Sequence, residues 1–195
     1  MTYADQYLDE VEQILKALDR QAVEDMAKEI GELRARGGRI FFLGVGGGAG
    51  NASHAVNDFR KIAGIESYAP TDNVSELTAR INDEGWETCL SEWLKGSNLN
   101  SNDGVFVFSV GGGHVEKRVS LGLVSALDFA RKTGAAILGV VGRDGGYTAQ
   151  VADECVVISV PNPETVTAHT ESVHLVIEHL LMDLLKRQLA EVEVR

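Results

Sequence analysis

Twice in this chain a short apolar strand runs into a glycine-rich loop that is expected to open a helix. The first passage is Arg39-Ile40-Phe41-Phe42-Leu43, then Gly44-Val45-Gly46-Gly47-Gly48-Ala49-Gly50, then a helix expected over 51–61. The second is Val105-Phe106-Val107-Phe108-Ser109, then Val110-Gly111-Gly112-Gly113-His114, then a helix expected over 115–132. The N–H groups of a helix's first turn lack partners and carry roughly half a positive charge. Bare backbone at such a point is an anion site. Two of them predict one or two charged or hydroxyl-rich small ligands at the C-terminal edge of a parallel sheet.

The strands expected at 40–43, 67–69, 105–108, 136–141 and 155–159 are mostly unbroken apolar runs, the pattern of strands covered on both faces. Helical patterns separate them, so the class is α/β with a parallel sheet. Tyr7, Leu8, Val11, Ile14, Leu15 and Leu18, then Val23, Met26, Ile30 and Leu33, recur at helical spacing, and Gly37-Gly38 ends that stretch. One or two amphipathic helices are expected over 3–36, two more over 72–95 broken near Asn82-Asp83-Glu84-Gly85, and a long last one over 166–191. The 195 residues suit a single domain over 1–195. The long terminal helices suit either an oligomer interface or packing on the chain's own sheet.

The net charge of −11 argues against nucleic-acid partners and leaves any anion site dependent on local groups. No apolar run approaches the ~20 residues of a membrane span, and no leader pattern is visible, so no membrane partner is expected. Cys89 and Cys155 fit neither a disulfide framework nor a metal spacing. They read as reduced thiols and predict a cytoplasmic location. Neither loop continues into the Gly-Lys-Ser/Thr of a nucleotide P-loop. A dinucleotide site needs an acidic residue ending the next strand, and Tyr68-Ala69-Pro70-Thr71-Asp72 spaces it poorly.

His54 and Asp58 stand four apart, on one helix face about 6 Å from each other. Such a pair ligates a metal, acts as base and partner, or forms a surface ion pair. The last helix carries Glu171, His174, Glu178 and His179. An apolar stripe of Val173, Val176, Ile177, Leu180 and Leu184 leaves Glu171, His174 and Glu178 opposite it and His179 on its flank. His174 and Glu178 then read as a solvated i,i+4 pair. Glu171 and His179 lie eight apart, ~12 Å along a helix. They share an ion only from an irregular first turn or with help from a neighbouring subunit.

On these residues the chain resembles the sugar isomerase (SIS) domain family, and within it the phosphoheptose isomerases, over nearly its whole length. Gly44-Val45-Gly46-Gly47-Gly48 with His54 and Asp58 is similar to the family's Gly-Asn-Gly-Gly-Ser loop followed by a His and a Glu four apart. Asn82-Asp83 matches a family Asn-Asp, and Ser109 to His114 falls on Ser-Thr-Ser-Gly-Asn-Ser. Arg143-Asp144-Gly145-Gly146 falls on Lys-Asp-Gly-Gly, and Glu171-Ser172-Val173-His174 through His179 on Gln-Glu-x-His-x4-His.

The resemblance implies a flavodoxin-like three-layer sandwich with a five-stranded parallel sheet. It implies a homotetramer with sites between subunits, and zinc or another divalent metal held by His54, Asp58, Glu171 and His179. It implies interconversion of sedoheptulose 7-phosphate and D-glycero-D-manno-heptose 7-phosphate through an enediol, with Asp58 as base and His179 as acid/base. The phosphorylated sugar would be held by Gly46, Gly47, Gly48, Asp83, Ser109, Gly111, Gly112, Gly113 and His114. Three departures stand out. Gly48, Gly111 and His114 replace phosphate-gripping serines, Asp58 is one methylene shorter than Glu, and Glu171 replaces Gln. They keep open a second reading, a non-catalytic SIS protein that binds a sugar phosphate or a protein, as the replication initiator-associating proteins do.

Overall fold

The structure is a computed structural model that describes residues 1–193, with side chains through residue 190. The amphipathic N-terminal stretch divides at Leu18-Asp19 into α1 (Tyr3–Ala17) and α2 (Arg20–Ala35). A capping box opens α1: the Thr2 hydroxyl accepts from the Asp5 amide and the Asp5 carboxylate accepts from the Thr2 amide. Asp19 opens α2 by accepting from the amides of Gln21 and Ala22.

Five strands, β1 (Ile40–Gly44), β2 (Ser67–Tyr68), β3 (Gly104–Ser109), β4 (Ala136–Gly142) and β5 (Glu154–Ile158), make one parallel sheet in the order β2-β1-β3-β4-β5. That is the flavodoxin-like order. Successive strand residues point to opposite faces, so β1, β3 and β4 each feed two cores. Phe42, Phe106, Phe108, Leu138 and Val140 pack towards α1, α2, α3 (Gly47–Lys61) and α8 (Val166–Glu193). Phe41, Leu43, Val105, Val107 and Ile137 pack towards α5 (Cys89–Gly96) and α6 (Leu121–Thr133). The result is the three-layer sandwich. The remaining helices are α4 (Val74–Glu84) and the short α7 (Gly146–Val151). Both α2 and α8 cover the sheet of their own chain. Among the described residues, no helix is long and apolar enough to cross a membrane.

The two glycine loops differ more than their sequences suggest. After β1 the helix begins inside the glycine run, at Gly47, with Gly46 as its N-cap. After β3 no helix follows directly. Residues 114–120 form a tight excursion closed by the His114–Val119 bridge, and α6 starts only at Leu121. The reason is backbone handedness. Gly112, Gly113, Arg118 and Ser120 all have positive φ, which a right-handed helix excludes. His114 therefore is not a helix-start residue. Both loops still leave the sheet at its C-terminal edge, from the adjacent strands β1 and β3 where the strand order reverses.

Candidate active site

Helices α3 and α8 lie side by side and run in step. At their N-terminal ends, the Glu171 carboxylate rests over Gly47, where a Cβ would collide with it. One turn further, Asn51 Nδ2 donates to the Glu171 carbonyl (2.8 Å) and sits 3.2 Å from His174 Nδ1. Seven residues past Gly47 comes His54, and seven past Glu171 comes Glu178. Seven residues are about 10 Å of helix, so these later positions meet as well.

There, His54, Asp58, Glu178 and His179 bring one ligand atom each to within 4.8 Å of one another. The two imidazoles face each other, Nε2 to Nε2, at 3.1 Å. His54 Nε2 is 3.5 Å from Asp58 Oδ2 and 3.8 Å from Glu178 Oε2. His179 Nε2 is 3.8 Å from Asp58 Oδ2 and 3.4 Å from Glu178 Oε2. Asn57 Nδ2 holds the other Asp58 oxygen at 2.7 Å.

Glu178 is fully buried, and neither of its carboxylate oxygens has a hydrogen-bond partner. Burial, reinforced by the negative Asp58, pushes its carboxyl up to about 7. A bare buried carboxylate costs several kcal/mol unless a cation meets it. A tetrahedral ion with bonds of about 2.1 Å has ligand–ligand edges of about 3.4 Å, close to the spacings here. The donor set of two nitrogens and two carboxylates therefore fits a divalent metal.

Sequence reasoning expected His54, Asp58, Glu171 and His179 to share an ion. Three of them meet; Glu171 does not, because it sits two helical turns towards the N-terminus, at the Gly47 end of α3. Glu178 stands in the cluster instead. The solvated reading of His174 and Glu178 is wrong, since both are fully buried. The chosen apolar stripe was rotated: Val176 and Leu180 are exposed, whereas Val173, Ile177, Leu181, Met182 and Leu185 are buried. At 100° per residue those five span an arc of about 180° that contains 174 and 178. A stripe drawn through Leu181 and Leu185 would have found both. Burial also pushes His174 down to about 4, so its ring is neutral.

Among the substrate-site expectations, Ser109, Gly111 and His114 line a cavity of about 660 Å³ at the sheet edge, together with Val45 of the first loop and Thr167 of α8. The Ser109 hydroxyl accepts from the Gly112 amide at 3.0 Å. Gly112 and Gly113 anchor α7, their carbonyls accepting from Thr148 and Tyr147. Gly46, Gly47 and Gly48 form the cap and first turn of α3. Asp83 is exposed near the end of α4 and lies outside both the cluster and the residues lining this cavity.

No protein-family model matches the sequence. Individual relatives do. A phosphoheptose isomerase from Roseiflexus sp. is 28% identical over 195 residues, spanning 94% of this chain and 93% of its own. One from Rhodospirillum rubrum is 30% identical over 159 residues, spanning 79% of this chain and 78% of its own. The chain belongs to the phosphoheptose isomerase family. A solved phosphoheptose isomerase from Francisella tularensis shares the fold, with a TM-score of 0.80 at 21% identity over 96% of this chain and all of that one. In this phosphoheptose isomerase family member, the acidic residue that α8 brings to His54 and His179 is Glu178.

Proposed function

We propose that this protein is an aldose–ketose isomerase that interconverts sedoheptulose 7-phosphate and D-glycero-D-manno-heptose 7-phosphate. The observation that carries the reading is the convergence of His54, Asp58, Glu178 and His179 in a chain of this family. The Asp58 carboxylate takes the proton from the carbon beside the carbonyl and returns it to the neighbouring carbon. The His179 imidazole, 59% exposed on its side chain, exchanges a proton with the two oxygens as the enediol forms and collapses. His54, Asp58, Glu178 and His179 would hold a divalent ion, and nitrogen with carboxylate donors suits zinc. Such an ion supplies polarisation of the sugar's carbonyl oxygen.

The reading takes residues 1–195 as one SIS unit, working in the cytoplasm on a phosphorylated sugar, with neither nucleic acid nor membrane as partner. It takes the assembly as a homotetramer with sites between subunits. Two observations support that. Val176 (48%) and Leu180 (47%) are exposed on α8 beside the cluster. Thr167 in the cavity wall and Glu178 are eleven residues apart, about 16 Å along α8, further than one sugar phosphate reaches. A neighbour's loops beside each cluster would close that gap.

The alternative is a non-catalytic SIS protein that binds a sugar phosphate or a protein partner. Glu171 favours it, because its carboxylate stands beside Gly47 in the first turn of α3, where a negative charge opposes an anionic ligand. The two separate by product analysis. Zinc-loaded protein given sedoheptulose 7-phosphate should form the aldose heptose phosphate, seen by chromatography. His179→Ala should form none while eluting as the wild-type oligomer. No conversion of any ketose or aldose phosphate at high protein concentration contradicts the isomerase reading.

A further inference from the structure

The cavity at the second glycine loop is lined by two cations, Lys117 and Arg143, that form no ion pair among the described residues. Some basic side chains are paired, such as Arg39 with Asp103, Arg80 with Glu76 and Glu84, and Arg118 with Glu87. Among the described residues, Lys117 and Arg143 form no ion pair, although the chain holds 29 acidic residues against 18 basic ones. Both line the same cavity. Lys117 comes from the excursion closed by the His114–Val119 bridge, and Arg143 from the turn after β4. Two separate segments thus aim positive charge into one space.

Arg143 and Lys117 are both exposed at the cavity mouth, and Arg143 lies across the loop. Its side chain crosses Gly111, with Cδ and Nε 3.6 and 3.9 Å from where a Cβ on that glycine would stand. A methyl group at 111 would sit in ordinary van der Waals contact with it. Its backbone is also strained, with φ at +53°, and Ser120 across the cavity has φ at +50°. Strained backbone of this kind persists where the surrounding structure fixes it, and it gathers at ligand sites. The one carboxylate on this wall, Asp144, is tied back to its own turn, accepting from the Gly146 amide at 3.2 Å.

We infer that Arg143 and Lys117 grip the phosphate of the sugar substrate, so that this chain holds its ligand by two side-chain charges where Gly111 and His114 offer no serine hydroxyl. The guanidinium fork suits two phosphate oxygens at once, and the ammonium adds a point charge. A molecule with a net charge of −11 repels a phosphate dianion at long range, and local cations offset that repulsion. The identity of the phosphate's carrier rests on the isomerase reading; the anion site itself does not.

The test uses inorganic phosphate first, by calorimetry on the full chain, with Arg143→Gln, Lys117→Gln and the double variant. Lys132→Gln, in a groove between α5 and α6, serves as the control. Each single change should weaken phosphate ~10-fold and the pair ~100-fold, with the control unchanged. In isomerisation, KM for the sugar phosphate should rise in the same order. Wild-type kcat/KM should fall with added salt, and that of the double variant should be nearly flat. Arg143→Lys should recover part of the loss. Phosphate affinity equal in wild type and double variant overturns the inference, as does no phosphate binding by the wild type. Weakened phosphate with an unchanged sugar-phosphate KM also overturns it. If no sugar phosphate is isomerised while phosphate binding follows the variants, the anion site stands and the isomerase reading falls.

Discussion

Glu178 decides the chemistry of the cluster. Its carboxyl is raised from the ordinary 4.5 to about 7, so the metal-free native state holds a proton that the unfolded chain has released. Stability then falls as pH rises from about 4.5 through 7, by roughly 3 kcal/mol for the full shift. Glu178→Gln removes that burden. Without metal, the variant should match the wild type near pH 5 and melt several degrees higher at pH 8. With zinc the order should reverse, because only the wild type gains from the ion. Thermal melts at both pH values, with and without zinc, check this. A wild-type melt that is the higher one at pH 8 without metal contradicts it. At this scale the sequence was partly legible. His54 and Asp58 were visible as an i,i+4 pair, and His179 through resemblance. Glu178 was not, because a polar residue on a helix reads as solvated unless the apolar arc is known to be wide enough to include it.

Strands were the most legible elements, since β1, β3 and β4 are buried on both faces and their apolar runs are unbroken. All five came out in place, with ends moved by a residue or two. The connections were less legible. The excursion at 114–120 carries Val115 and Val119, which look like the start of an amphipathic helix, yet both are exposed and the backbone turns left-handed at Arg118 and Ser120. Non-glycine residues at positive φ leave little mark in sequence. Docking of α1 was equally hidden. Glu10 accepts from Thr165 Oγ1 (2.7 Å) and Asn162 Nδ2 (2.9 Å) and pairs with buried His169 (2.9 Å), contacts spanning more than 150 residues of chain. The second loop yields an element-scale prediction. Gly112 has φ at +66°, and a Cβ there would overlap the Gly145 carbonyl oxygen, where the turn after β4 packs against the loop. Gly112→Ala should therefore cost ~3 kcal/mol or more, read from urea unfolding. A loss under ~1 kcal/mol would mean that the two turns are not locked together.

For the whole molecule, the parallel sheet in flavodoxin-like order places two loops at one edge, and the in-step run of α3 and α8 places four side chains that could hold a metal about 10 Å further down α3. On the proposed function these are the two ends of one reaction site completed by a neighbouring copy. The isomerase must then move a proton at carbon, using Asp58 and His179. The most direct measurement is solvent deuterium incorporation into sedoheptulose 7-phosphate by zinc-loaded protein in heavy water, followed by NMR. The account predicts deuterium at C1 of the ketose and C2 of the aldose, abolished in both Asp58→Asn and His179→Ala. Incorporation that survives in either variant, or none with the wild type, contradicts it.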